Sequence, residues 1–188
     1  MQYLAAMDVL AHAIYGATVC SRSGLAGGRA GAGRSWFRDP TAWLAMLFGV
    51  LPDALSMGLP FLRFDHGDHV GHFFREFDGA GLVHYRYAHS LLVALAVSGL
   101  LYLLRKPFFL PSLAWPLHLI LDALTHASPG KFHTELFFPL SSWAFNGLSW
   151  WQHSWLVALY WLALPAAWLA LHAWRITGTR RRSGSPTS

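Results

Sequence analysis

The stretch SWLVALYWLALPAAWLALHAW, residues 154–174, contains no Asp, Glu, Lys or Arg. About 20 such residues are what an α-helix needs to cross a bilayer. Four further apolar stretches approach that length, at about 2–20, 41–62, 88–104 and 108–127. A chain with this pattern is expected to be an all-α, polytopic membrane bundle with about five transmembrane helices. Pro52, Pro60, Pro111 and Pro116 should bend these helices or end their turns. Composition agrees: 12% of residues are charged, against about 25% in soluble domains.

Positive charge sets the orientation of such a bundle. Arg22, Arg29, Arg34 and Arg38 follow the first stretch, Arg105 and Lys106 the third, and Arg175, Arg180, Arg181 and Arg182 the fifth. If each stretch crosses once, all three clusters fall on one side, expected to be the cytoplasm. The N-terminus and the segments 63–87 and 128–153 then face outward. Trp143, Trp150, Trp151 and Trp155 suit an outer interfacial belt. The N-terminus has neither the basic region nor the cleavage site of a signal peptide. The net charge of +5 is gathered in short segments between apolar runs, which disfavours nucleic acid as a partner and favours the lipid bilayer. Cys20 is the single cysteine, so an internal disulfide and a CxxC metal knuckle are both excluded. Residues 1–176 read as a single membrane-embedded domain. The Gly/Ala/Arg-rich 22–35 is expected to be a mobile loop, and the basic, then Ser/Pro-rich 177–188 a disordered tail.

The apolar stretches carry ionisable residues where each costs about 2.5–3.5 kcal/mol on insertion scales. Asp8 and His12 lie four apart in the first, and His118 and Asp122 repeat that spacing in HLILDALTHA, residues 118–127. On a helix each pair shares a face. Asp53 follows Pro52, and His89 opens the third stretch. With alternating helix directions Asp53, His89, His118 and Asp122 reach similar depth toward the outer face, with His12 nearer the middle. Imidazole and carboxylate are the ligands that suit zinc and related divalent ions. The expected metal ligands are therefore His12, Asp53, His89, His118 and Asp122. The competing reading is that each His–Asp pair only holds helices together.

These residues resemble the membrane-bound metal-dependent hydrolase family of bacterial inner membranes. The resemblance rests on His12 in the first helix, LPD at 51–53, HYRYAHS at 84–90, HLILDALT at 118–125 and LFFP at 136–139. It covers residues 1–140. It departs from the family at Leu55, where a second aspartate is common, and at Tyr85 and Ala88, where the family has arginine and threonine; Arg86 lies one place beyond Tyr85. The resemblance implies a multi-pass protein of the bacterial inner membrane with a zinc phospholipase C-like site. A divalent metal, zinc above others, would polarise the scissile group of an ester or phosphoester, possible lipids among them. Asp53, His84 and Arg86 are the candidate catalytic residues: Asp53 as ligand or general base, and Arg86 as the partner of a phosphoryl oxygen. Two other classes stay open, a metal-ion carrier or sensor and a non-catalytic membrane organiser.

Residues 65–78, DHGDHVGHFFREFD, place His66, His69 and His72 at intervals of three. They read as a solvated outer loop, or as a cap over the metal cleft anchored by Phe73, Phe74 and Phe77. His126 is the best additional ligand on that side. His133, Glu135 and His153 read as surface residues.

The charge pattern yields a topology test. Reporter fusions after Pro40 and after Lys106 should both read cytoplasmic; a periplasmic signal from either one overturns this arrangement.

Overall fold

A computed structural model of the chain describes residues 2–58, 79–127, 133–149 and 152–183. The segment 65–78, with its three histidines, lies outside the described residues, as do Pro60, Trp150 and Trp151. Among the described residues the regular structure is helical throughout: α1 (Gln2–Cys20), α2 (Pro40–Asp53), α3 (Ala80–Ala88), α4 (Leu91–Leu104), α5 (Lys106–Ser112), α6 (Ala114–Thr125) and α7 (Ser154–Ser183). A π-helical turn, Ala54–Gly58, extends α2.

Three of these helical stretches are long and apolar enough to cross a membrane: Pro40–Gly58, Lys106–Thr125 and Ser154–Thr177. The pair Gly81–Ala88 and Leu91–Leu104 would make a fourth, bent by 55°. The expectation of five crossings thus outruns the helices that qualify on length and composition. The stretch 106–125 is the central one, more than half buried, whereas 11% of the last is.

The distribution of side chains is inverted relative to a water-soluble domain. Large apolar residues face outward, with Leu103 74%, Leu169 71% and Leu162 65% exposed, while the interior holds Ala11, Ala17, Ala45, Ser56, Ser98, Ser112, His12 and His118. Lipid tails are as apolar as leucine, so burying leucine gains little in a bilayer. Small residues let helix backbones approach instead. A β-carbon on Gly16 would stand 2.6 Å from the Ala45 carbonyl oxygen, and one on Gly49 would stand 2.6 Å from that of His12. Helices α1 and α2 are therefore joined nearly backbone to backbone. Helix α7 attaches more loosely, through the Trp168 indole N–H donating to Thr18 Oγ1 at 3.0 Å.

Part of the segment 22–35, expected to be a mobile loop, instead forms a 3₁₀ turn, residues 25–31. Arg175 of α7 holds it: Nε donates to the Gly28 carbonyl at 2.9 Å, Nη1 to Ser23 at 3.0 Å and Nη2 to Gly24 at 2.9 Å. Arg29 stacks over the Trp174 ring at 5.0 Å. Composition pointed to mobility because it cannot reveal a distant guanidinium that satisfies the turn's carbonyls. Helix α7 runs to Ser183, and residues 184–188 of the expected tail lie outside the described residues.

Asp39 starts α2. Its Oδ1 accepts from the Thr41 N–H at 3.0 Å and the Thr41 hydroxyl at 2.7 Å, and its Oδ2 accepts from the Ser23 N–H at 2.6 Å. Burial raises its pKa, but the hydrogen bonds from Thr41 and Ser23 outweigh it and hold the carboxyl below the usual carboxylate range. Asp39→Ala should lower stability in detergent by at least the about 0.5–2 kcal/mol of a lost N-cap. A depressed folded pKa means this contribution is complete above the ordinary carboxylate range and fades as pH falls through the folded value. Thermal melts of both proteins should differ at neutral pH and converge in acid.

Candidate metal centre

Helix α6 supplies the centre of the site. His118 and Asp122 lie one turn apart and both are buried, at 1% and 3% exposure. His126, just past the helix end, is its C-cap. Helix α1 brings Asp8 and His12, also one turn apart. Asp53 is the last residue of α2, where Pro52 and the π-turn change the helix path; such turns re-aim side chains and often mark functional positions. His89 does not open the third transmembrane helix, as the sequence suggested. It caps α3 at the corner between α3 and α4, and α4 restarts with Ser90 as its N-cap. The corner is fixed by the Trp115 indole N–H donating to the Ala88 carbonyl at 2.9 Å and by the Leu91 N–H donating to Leu136 at 2.9 Å.

The two carboxylate oxygens of Asp122 face different partners. Oδ2 lies 3.1 Å from His118 Nε2 and 3.5 Å from His89 Nε2. Asp53 Oδ1 lies 3.4 Å from His89 Nε2 and 3.8 Å from His118 Nε2. Four donor atoms on four residues thus alternate nitrogen and oxygen around a small gap. Ligand atoms held at about 2.0–2.1 Å by a tetrahedral zinc stand about 3.3 Å apart, within the observed range. On the other side, Oδ1 lies 3.1 Å from His12 Nε2 and 3.7 Å from His126 Nδ1, and Asp8 Oδ1 lies 3.2 Å from His12 Nε2. The rings of His12 and His118 stack at 3.8 Å between centroids.

The opposite ring nitrogens fix the chemistry. His118 Nδ1 donates to the Gly49 carbonyl at 2.6 Å, and His89 Nδ1 donates to the Tyr85 carbonyl at 3.1 Å. A carbonyl only accepts, so each neutral ring carries its proton on Nδ1 and turns a bare Nε2 lone pair inward. Those lone pairs face carboxylate oxygens, an arrangement that is repulsive unless a cation lies between. His118 Nε2 and both ring nitrogens of His12 are buried without an aligned hydrogen bond. Backbone carbonyls behind ligating imidazoles are also the usual outer support of a metal site. The residues present therefore fit a divalent cation.

All five expected ligands, His12, Asp53, His89, His118 and Asp122, meet here, and His12 sits within the cluster rather than at its edge. Asp8, Asp122 and His126 form a further group with ligand atoms within 4.8 Å of one another. Of the expected catalytic residues Asp53, His84 and Arg86, Asp53 lies in the cluster. His84 is exposed on α3 and belongs to none of the ligand groups. Arg86 is 44% exposed and pairs with Glu135 at 2.9 Å. Glu135, expected at the surface, is 3% exposed and also meets His133 Nε2 at 3.2 Å. Thr125 donates to the Leu121 carbonyl at 2.8 Å, and its hydroxyl also lies 3.4 Å from His126 Nδ1. Sequence reasoning missed two aromatic walls. Tyr85 stacks on His89 at 3.9 Å, and Tyr160 of α7 meets His12 edge-on at 6.4 Å with its hydroxyl buried and unpartnered. Neither position carries a local signal, because both lie in runs rich in other aromatics.

No protein family, curated protein or solved structure matched the chain. The site is thus defined by its own residues and their geometry.

Gly49 offers a test of that geometry, since its carbonyl orients His118 and its α-carbon touches the α1 backbone. Gly49→Ala should weaken binding of a divalent ion by about 10–100-fold, as loss of an outer partner does. Gly99→Ala, where an added β-carbon meets nothing within 4 Å, should leave it unchanged. A chelator-competition titration compares the two.

Proposed function

We propose that this chain is an integral membrane, metal-dependent hydrolase that cleaves an ester or phosphoester, with lipids the favoured substrates, near the outer face of a bacterial inner membrane. The observation that carries this reading is the ring of His89, His118, Asp53 and Asp122, whose inward lone pairs have no other cation among the described residues. Two imidazoles and two carboxylates suit zinc. When bound, a divalent ion would polarise the scissile group and acidify an attacking water.

The chain's own residues would divide the remaining work. His89 and His118 hold position through their Nδ1 bonds to backbone. Asp122 is nearly sealed, so it serves as a ligand. The Asp53 side chain is 20% exposed and is the carboxylate that can exchange a proton with incoming water. Tyr85 and Tyr160 wall the cluster and limit water. Arg86 follows Tyr85 in sequence and keeps a partly exposed guanidinium, which would bind a phosphoryl oxygen. The same reading takes α1 and the bent α3–α4 pair as crossings beside the three qualifying stretches, with the arginine clusters cytoplasmic. The shared packing of Cys20, Ala45 and Ala114 supports it, since it gathers the end of α1, the start of α2 and the start of α6.

Purified His118→Ala and Asp122→Ala should each insert normally but lose the metal of the His89, His118, Asp53 and Asp122 ring and all turnover of a phosphoester probe. Arg86→Ala should keep its metal and lose about 100-fold in turnover, the scale of one lost charge-stabilising donor. Full metal occupancy in both ligand variants would reduce the cluster to a helix-packing device. Metal binding without turnover in the unaltered protein would favour a carrier or sensor.

A further inference from the structure

We infer that the site is built for two metal ions bridged by Asp122, the second held by Asp8, His12, His126 and Oδ1 of Asp122. This deepens the metal-dependent reading above and rests on it. The first position uses Oδ2 with His89, His118 and Asp53. The second repeats the same donor set, two imidazoles and an outer aspartate, on the other oxygen. Both outer carboxylates are partly open, at 20% for Asp53 and 18% for Asp8, while Asp122 between them is at 5%. Each position thus has its own route for an ion to enter.

Three observations support the second position independently of the first. His12 is 2% exposed, and neither of its ring nitrogens makes an aligned hydrogen bond. Its Nε2 lies midway between two carboxylates, 3.2 Å from Asp8 and 3.1 Å from Asp122, the position of a nitrogen that shares a cation with both. Asp8, Asp122 and His126 also bring ligand atoms within 4.8 Å of one another without His89, His118 or Asp53; His126 Nδ1 lies 3.1 Å from the Asp122 carbonyl and would give up that contact to hold an ion. Charge separates the two occupancies by sign. One divalent ion among Asp8, Asp53 and Asp122 leaves a net negative charge in a dry bundle, whereas two leave a net positive one. A positive centre fits a phosphoester, the anionic member of the proposed substrate class, better than a neutral carboxylic ester. A bridging carboxylate with two metals is also the arrangement that clamps both the attacking and the leaving oxygen in phosphoryl chemistry.

The test is metal stoichiometry of the full chain in detergent, loaded with zinc and freed of excess by gel filtration. The unaltered protein should hold two zinc ions per chain. Asp8→Asn and His126→Gln should each hold one, and Asp122→Ala none. Cobalt loading adds a readout that needs no variant: two carboxylate-bridged Co(II) ions couple magnetically, and Asp8→Asn should release the uncoupled signal of a single ion. One zinc per chain with no cobalt coupling overturns the second position and leaves the first standing. Two zinc ions that persist in both Asp8→Asn and His126→Gln overturn these ligands. No zinc at all overturns the metal reading beneath the proposal, an outcome distinct from the other two.

Discussion

A single carboxylate, that of Asp122, organises the bundle. It is buried in the last turn of α6, in the most enclosed of the three qualifying stretches, and lies within 3.7 Å of four imidazoles, those of His12, His89, His118 and His126. A lone carboxylate there would be costly, and so would each imidazole if charged. Their mutual proximity makes the interior tolerable, and it requires α1, the α3–α4 corner and α6 to meet at one depth. The small residues at Gly16, Ala45 and Gly49 make that meeting possible, because larger side chains would hold the backbones apart.

The site and the fold use the same contacts. Gly49 is where α2 touches α1 and also where His118 finds its backbone acceptor. Tyr85 supplies the carbonyl that orients His89 and the ring that covers it. Two consequences follow for how such a site is held. Its geometry is set by backbone groups rather than by flexible side chains, which favours pre-organisation. It also leaves little slack, since a shift of any one helix misplaces a ligand of its own and the support of another.

The opposite end of the molecule follows a different logic. Asp39 and Arg175 each gather several partners from the segment 21–41, and both use hydrogen bonds to backbone. They tie α1, α2 and α7 together where the chain leaves the apolar region. Arg175 fastens the end of α7 to the turn at 25–31 through three backbone carbonyls, those of Ser23, Gly24 and Gly28.

The sequence by itself determined the class of the molecule. Apolar stretches near bilayer length demand helices, and the spacings Asp8–His12 and His118–Asp122 place each pair on one helix face, because helical periodicity is local. It also marked every residue that meets in the cluster, since imidazole and carboxylate inside apolar runs have few other reasons to be there. Tertiary structure alone decided the rest. The π-turn at Asp53 and the corner at His89 depend on partners such as Trp115 and Leu136 that are remote in sequence. The burial of Glu135, the exposure of His84, the pairing of Arg86 with Glu135, and the turn at 25–31 depend on which elements pack where. So does the division of Asp122 between two sets of partners. A spacing of four residues fixes a face, but only helix packing fixes which oxygen of a carboxylate meets which imidazole.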